Sequence, residues 1–513
     1  MAKKAKETKQ KKEKGAAAGE PDCDLGKPAG TPPAAGCPWC MVVDSVRNNR
    51  YLQILLLLTI AGAFLRLFQL GAASLWLDEA STLTYARLSL TQIWGSLSSG
   101  TEFHPPLFYA LEHFMLALGE SEAVLRLIPA IAGILTIPVF YLLGSEILDR
   151  NTGILAAALL AFCPFHIFYS QEARDYALML LFLSLALLFF LRLLRSWGRR
   201  DALLFGVFAA LAFWGHFYAF VPILGLFLFA IAAKGREMVK EIRTAIPLAL
   251  SLLVFIVLTL PLIYFAIQLF GKITGTAPTF GMQGIQTISL TFTQLSGFSW
   301  VLACAFLALF VAGVLSLFRM DRTKAILLGF VLVFPVVLSV ILSYRMPMEP
   351  RYLSYLLAVL LPGVALSLRP ACSLVRSRNL VYGALILALV INLPVLIPYY
   401  TTPQKDDWRG ASQELAGLAV PGDLVIVTPG YVRQPLDYYY RNQTAGTLEF
   451  GIYQAGEAMN LTASHPNSTA WFIVTSDIQS TDPQGLMLSW LGQHSRLAWR
   501  DANGGILLLK YSG

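Results

Sequence analysis

The stretch YLQILLLLTIAGAFLRLFQLGAASLWLDE, residues 51–79, decides how this chain is read. Its first part is almost wholly apolar and long enough for one helix to cross roughly 30 Å of hydrocarbon. Two adjacent carboxylates, Asp78 and Glu79, follow directly. Runs of the same kind recur as far as residue 398, in a chain that is 56% hydrophobic and only 14% charged. Average soluble domains carry about 25% charge. The expected fold class is therefore an all-α polytopic membrane protein.

The net charge of +8 lies in the N-terminal tail and in short loops between apolar runs. That is the pattern of positive-inside topology, and it argues against nucleic-acid binding. Following the basic loops, residues 51–70 run outward and leave Asp78 and Glu79 outside. Residues 124–148 return, 153–169 go out, and 177–194 come back to Arg192, Arg195, Arg199 and Arg200. Residues 203–233 have basic loops at both ends and would make a helix of roughly 46 Å. An even number of crossings is needed there, so His216-Phe217-Tyr218 is expected at the outer tip of a tight hairpin. Residues 246–270, 300–318, 326–343, 353–368 and 381–398 complete about 11 spans. Residues 106–118 are apolar but short and contain Glu112 and His113, which predicts an interfacial helix in the first external loop.

Three regions follow: a disordered basic cytoplasmic tail over 1–50, a transmembrane region over 51–398, and a small extracytoplasmic α/β domain over 399–513. The tail carries a lysine-rich run, Asp22-Cys23-Asp24 and Cys37-Pro38-Trp39-Cys40. The last has metal-knuckle spacing, but a zinc site wants four ligands and only Cys23 is added nearby. In the third region, residues 407–418 have helical periodicity and Pro421-Gly422-Asp423 makes a turn. Residues 424–428, 471–475 and 506–511 read as strands. Sequons at Asn442, Asn460 and Asn467 fit an external location.

The same topology gathers ionisable side chains at the outer interface. Asp78, Glu79, Glu102 and His104 belong to the first external loop; Gln171, Glu172, Arg174 and Asp175 to the second; His216 and Tyr218 to the third; Lys272 to the fourth; Arg345 and Arg351 to the fifth. Acids early and arginines late suit a sugar-phosphate site. A leaving phosphate needs no strong general acid, whereas a carboxylate must accept the proton of the attacking hydroxyl. Guanidinium groups can grip phosphate bidentately. Taken singly, each residue has a plainer reading: a solvated acid pair, a local Glu172–Arg174 ion pair, or arginines anchored at headgroups.

Leu75-Trp76-Leu77-Asp78-Glu79 followed by His104-Pro105-Pro106-Leu107-Phe108-Tyr109 resembles the GT-C-fold glycosyltransferases related to protein O-mannosyltransferases and lipid A aminoarabinose transferases (glycosyltransferase family 39-like). Ser121-Glu122-Ala123-Val124-Leu125-Arg126-Leu127-Ile128-Pro129 and Tyr169-Ser170-Gln171-Glu172-Ala173-Arg174-Asp175-Tyr176 are similar to the next two blocks. His216-Phe217-Tyr218, Pro350-Arg351-Tyr352-Leu353 and Asp407-Trp408-Arg409-Gly410 match later ones more loosely. The resemblance implies a GT-C-like membrane fold and an inverting transfer from a polyprenyl-phosphate sugar donor to an extracytoplasmic acceptor, whether protein, lipid or glycan. It makes Asp78 the acceptor-activating base, with Glu79 and Glu172 as supporting acids. His104, Arg174, His216, Tyr218, Arg345 and Arg351 would bind substrate. Members differ in metal dependence, so a divalent cation stays open.

The main rival is a membrane transporter or lipid flippase, but no paired repeat is apparent and the polar groups sit in loops rather than at the midplane. The topology is directly testable. A single cysteine placed beside Asp78 in an otherwise cysteine-free chain is expected to react with a membrane-impermeant maleimide added to intact cells. Protection until the cells are lysed would put the acids on the wrong side.

Overall fold

The computed structural model describes residues 48–275, 278, 280–374, 379–440 and 446–512. The chain clusters into two units, residues 1–50 and 51–513. Nearly all of the first, with its lysine run and cysteine motifs, lies outside the described residues, as does the sequon at Asn442. The second unit holds everything that follows.

The long helices are α1 (Arg50–Leu67), α4 (Leu127–Ile147), α7 (Tyr176–Ser196), α8 (Arg199–Gly215), α9 (Phe220–Lys240), α10 (Ile246–Thr274), α12 (Trp300–Phe318), α13 (Arg322–Leu342), α14 (Leu357–Leu374) and α15 (Asn379–Thr401). Shorter ones are α2 (Leu77–Ala86), α3 (Leu107–Met115), α5 (Arg150–Ala161), α6 (Pro164–Ser170) and α11 (Ile285–Leu295). Among the described residues, 8 helices are long and apolar enough to cross a membrane, or 9 if α5 and α6, bent by 61° at their junction, form one span. The expected count of about 11 also took in α8, which has 17 residues, and α15, which is only partly described. The chain is an integral membrane protein.

The helices pack through small residues. A Cβ added at Gly144 of α4 would sit 2.8 Å from the Gly153 Cα of α5, so the two backbones touch only because both positions are glycine. With alanines 156, 157, 158 and 161, α5 is buried from Thr152 to Ala161 against α4 and α14. The break between α8 and α9 falls at His216, as expected, with a 3₁₀ turn over Phe217–Ala219, and Phe205 of α8 meets Phe227 of α9 at 5.2 Å across that turn. Beyond that contact the two helices diverge: α8 lies against α7 and α10, whereas α9 packs on α13. Residues 107–118 form a short helix and a 3₁₀ turn, too short to span.

Beyond α15 the chain forms α16 (Trp408–Leu418) and a five-stranded sheet of order β2-β1-β3-β5-β4. β1 is Leu424–Thr428, β2 Leu448–Gly451, β3 Ala470–Thr475, β4 Ser495–Arg500 and β5 Ile506–Tyr511. β1 pairs in parallel with β2 and β3, while β5 runs antiparallel to β3 and β4. All five residues of β1 are buried because both faces of the sheet are covered. Val425, Val427, Trp471 and Ile473 pack under Trp408 and Leu415, and Ile426, Phe472 and Val474 under Trp490. Strands β2 and β4, at the sheet edges, escaped the sequence reading because they are short or exposed and lack a buried apolar run.

The sheet region is fastened to the loop that precedes α2. Tyr439 donates to Glu122 at 2.7 Å and accepts from the Leu75 amide at 2.8 Å. Arg409 pairs with Glu122, and Ser74 donates to Asp407 at 3.1 Å. Leu77, at the start of α2, packs against the sheet's own apolar core.

Candidate active site

Asp78 and Glu79 stand in the first turn of α2, where the unsatisfied helix N–H groups favour carboxylates. Adjacent helical positions point about 100° apart, so the two acids meet different surroundings. Glu79 is fully buried. Its Oε1 accepts from Arg126 Nε at 2.8 Å and from the Ala173 amide at 2.9 Å. Its Oε2 accepts from Arg126 Nη2 at 2.7 Å, with Lys405 Nζ at 2.8 Å. Arg126 also donates to the carbonyls of Leu70 and Ala73 at 2.9 Å and of Ser74 at 3.0 Å, which employs all of its N–H groups. Burial alone would raise the Glu79 carboxyl; Arg126 and Lys405 outweigh it and hold it down to about 2.

Asp78 is open by contrast. Its side chain is 25% exposed, and its ion pair with Arg351 is long, 3.3 Å from Nη1. The Arg351 guanidinium lies 5.4 Å from the Trp76 ring and 5.8 Å from those of Tyr176 and Tyr352. These are cation–π distances, and its Nε has no hydrogen-bond partner. Tyr218 stacks on Tyr352 at 4.9 Å, and His216 lies 5.4 Å from Tyr352 and 5.7 Å from Tyr176. The Tyr218 hydroxyl donates to Pro347 O at 2.7 Å, fixing the far loop. His216 Nδ1 accepts from the Tyr218 amide at 3.1 Å, which leaves the proton of the neutral ring on Nε2. Burial first, with the nearby Arg174 and Arg351 guanidinium groups adding to it, keeps that ring neutral, well below its ordinary range.

The segment between α6 and α7 brings the remaining groups. Glu172 is fully buried with both carboxylate oxygens unpartnered, and burial pushes it up to about 7 against the pull of Lys405 and Arg351. Arg174 Nη2 donates to His104 Nε2 at 2.7 Å, so His104 Nδ1 must carry the hydrogen it gives to Glu102 Oε1 at 2.7 Å. Glu102 is held down to about 2: burial raises it, and the contacts with His104, then Arg174, prevail. Asp175 is buried with both oxygens unpartnered and is raised by that burial. Glu102 and Asp175 were placed on this surface by the sequence without a role; what marks them is burial, which no spacing reveals.

Arg345 does not join the cluster. It is exposed, and its side chain makes no hydrogen bond or ion pair with a described residue. Its loop is pinned by fully buried Met348, whose carbonyl accepts from the Met282 amide at 2.7 Å; this turns Arg351 inward and leaves Arg345 on the rim. Lys272 is also remote, donating to Gly100 O at 3.1 Å. Among the described residues no group of three or more His, Cys, Asp or Glu is arranged to hold a metal ion. Arg126 and Lys405 also line a cavity of 480 Å³ with Gln171, Tyr399 and Tyr400, which neither Asp78 nor Arg351 reaches.

Residues 103–265 match the family profile described as dolichyl-phosphate-mannose-protein mannosyltransferase. No curated protein sequence matches the chain. Among solved structures, the chain is similar to ArnT from Cupriavidus metallidurans bound to undecaprenyl phosphate, at 15% identity and a TM-score of 0.56 over 89% of this chain and 97% of that one. The apo form of the same protein gives 13% identity and a TM-score of 0.57 over 92% and 97%. The archaeal oligosaccharyltransferase AglB from Archaeoglobus fulgidus, in complex with an inhibitory peptide and a dolichol-phosphate, gives 14% and 0.51 over 90% and 74%. The chain thus has the GT-C fold of membrane glycosyltransferases, as its early motifs led us to expect.

The two buried acids should respond to pH with opposite sign. Glu79 is depressed from 4.5 to about 2, so its contribution to stability is present above pH 4.5 and is lost as pH falls toward 2. Glu172 is raised to about 7, so its contribution is full below its ordinary value of 4.5 and is lost as pH rises toward 7. Glu79→Gln leaves Arg126 buried and partly unpaired, and is expected to destabilise by about 3–5 kcal/mol. Thermal unfolding in detergent at neutral and acidic pH checks this; an unchanged melting temperature at neutral pH would refute it.

Proposed function

We propose that this protein transfers a sugar from a polyprenyl-phosphate-linked donor to an acceptor hydroxyl or amine outside the cytoplasm, with inversion at the anomeric carbon. The observation that carries the reading is the concentration of unpartnered buried groups around Asp78 and Arg351: Arg351 Nε, Arg174 Nε, His216 Nε2, the Tyr176 hydroxyl and all four carboxylate oxygens of Glu172 and Asp175. Each such group forfeits about 1–3 kcal/mol when left without a partner. Their gathering in one place suits a site completed by a polar ligand. The aromatic wall of Tyr176, Tyr352 and Tyr218 suits the apolar faces of a sugar ring. The bound undecaprenyl phosphate and dolichol-phosphate of the similar ArnT and AglB structures support the donor class.

In the proposed step the acceptor heteroatom attacks the anomeric carbon and the bond from that carbon to the phosphate oxygen breaks. The electron pair leaves with the polyprenyl phosphate, and the acceptor proton passes to Asp78. Asp78 is the base because its carboxylate is half-exposed and loosely held. Glu79 is a positioning acid, since Arg126, Ala173 and Lys405 occupy it. Arg351 meets the charge growing on the phosphate, with the Glu102–His104–Arg174 chain supporting that charge from the other side. Glu172 faces the acceptor. On this reading residues 51–398 carry the transfer site, residues 399–513 cover it as an extracytoplasmic domain, and residues 1–50 are a cytoplasmic tail.

The test incubates the purified full chain with labelled polyprenyl-phosphate sugars and cell-envelope acceptors. Asp78→Asn is expected to lower transfer by about 10²–10⁴-fold at an unchanged melting temperature. Full activity in that variant would remove Asp78 as base, and absence of transfer or hydrolysis from every donor would remove the function. The wild-type rate is expected to rise with pH through about 7 as Glu172 ionises, and Glu172→Gln to lose that limb.

A further inference from the structure

Arg66 is a cation inside an apolar helix, fully buried, with no carboxylate paired to it among the described residues. An isolated charge at such depth is costly and calls for a purpose. Its Nη1 donates to Gly62 O at 2.9 Å and Ala161 O at 3.1 Å, and its Nη2 to Leu160 O at 3.1 Å and His166 Nδ1 at 2.8 Å. Leu160 and Ala161 are the last residues of α5, where Pro164 has no N–H to offer the carbonyl four residues before it. Leu160 O otherwise receives only a 3.2 Å bond from the Cys163 amide. Arg66 thus closes the broken end of α5.

Gln171 performs the converse operation. It lies just past α6, and its Nε2 faces the carbonyls that end α1: Leu65 at 3.3 Å, Arg66 at 3.1 Å and Phe68 at 2.8 Å. These are carbonyls that a helix end leaves without intrahelical donors. Its Oε1 accepts from the Tyr399 hydroxyl of α15 at 2.6 Å. The space for this arrangement is kept by Gly133 of α4, where a Cβ would run into Ser170 and lie 3.0 Å from Arg66 Nε.

We infer that Arg66 and Gln171 form a linked cap, Arg66 of α1 closing the end of α5 at the bend into α6 and Gln171 at the end of α6 closing the end of α1, and that the cap positions the Glu172–Asp175 segment in the transfer site. Gln171 is covalently joined to Glu172, and no other side-chain bond holds Glu172 itself. Glu172 is therefore placed by the residue before it and by what holds the residues after it, the Glu79–Ala173 and Arg174–His104 bonds. Arg66 and Gln171 touch no reacting atom; they are positioning residues, and their role in transfer rests on the function proposed above.

Arg66→Met strips four bonds from a buried site and is expected to misfold, so Gln171→Met carries the test in the full chain reconstituted in nanodiscs. Displacing a catalytic group by about 1 Å can lower rate by about 10²-fold; kcat is expected to fall about 10–100-fold, with KM for the donor within about threefold of wild type. Infrared titration of Glu172, isolated by subtracting Glu172→Gln, gives a second readout that needs no activity. Its midpoint, set by burial and then by Lys405, Arg351, Glu79 and Asp78 around it, is expected to shift in Gln171→Met and, less, in Tyr399→Phe. A lowered melting temperature with kcat and the Glu172 midpoint both unchanged would reduce the cap to a structural brace and overturn the inference. Should wild type transfer no sugar, the function fails, while the infrared shift still decides the cap.

Discussion

The buried pair of Glu79 and Arg126 is the constraint on which the rest of the site depends. A carboxylate and a guanidinium withdrawn from water gain little over an apolar contact, and are tolerated only when every donor and acceptor is used. Here they are: three carbonyls of the loop 70–74, the amide of Ala173 and the ammonium of Lys405 complete the set. One ion pair thereby fixes the loop before α2, the segment before α7 and the linker after α15. What the pair contributes is registry, since any slippage of these three segments would strand a charge.

The neighbouring acid owes its freedom to the same pair. Asp78 shares the first turn of α2 and faces another way, so it is oriented without being consumed. Arg351 approaches it through a ring of aromatic faces rather than through a tight bidentate bond. Aromatic faces hold a cation without using its N–H donors, so the guanidinium keeps hydrogen-bonding capacity for an incoming anion. Across from it, Glu172 and Asp175 are buried without partners. Two kinds of carboxylate therefore stand within one site, one saturated and the others unfilled.

Much of this was legible in the sequence, for identifiable reasons. Hydropathy and basic loops locate helices because a bilayer permits little else, and the break at His216 was found from the charges at Arg199-Arg200 and Lys234-Gly235-Arg236. Asp78, Glu172, Arg174, His104, His216, Tyr218 and Arg351 do converge. Arg345 does not, since the sequence could not tell which of two arginines in one loop the buried Met348 would turn inward. Glu79 is occupied because its partners, Arg126 and Lys405, come from distant segments. Arg66, plain to see in the first apolar run, has a partner that depends on a kink formed about a hundred residues later. The edge strands β2 and β4 carry no periodic apolar signal.

The linker from α15 to α16 has a mechanical consequence. Lys405 stands in the middle of residues 402–407 with its side chain only 10% exposed, its ammonium against Glu79. A hinge at this linker would have to draw a largely buried amine away from its carboxylate. Together with the Tyr439, Arg409 and Asp407 contacts, this pins the sheet region to the segments around α2. On the function proposed above, a substrate would then have to reach Asp78 without the sheet region swinging away.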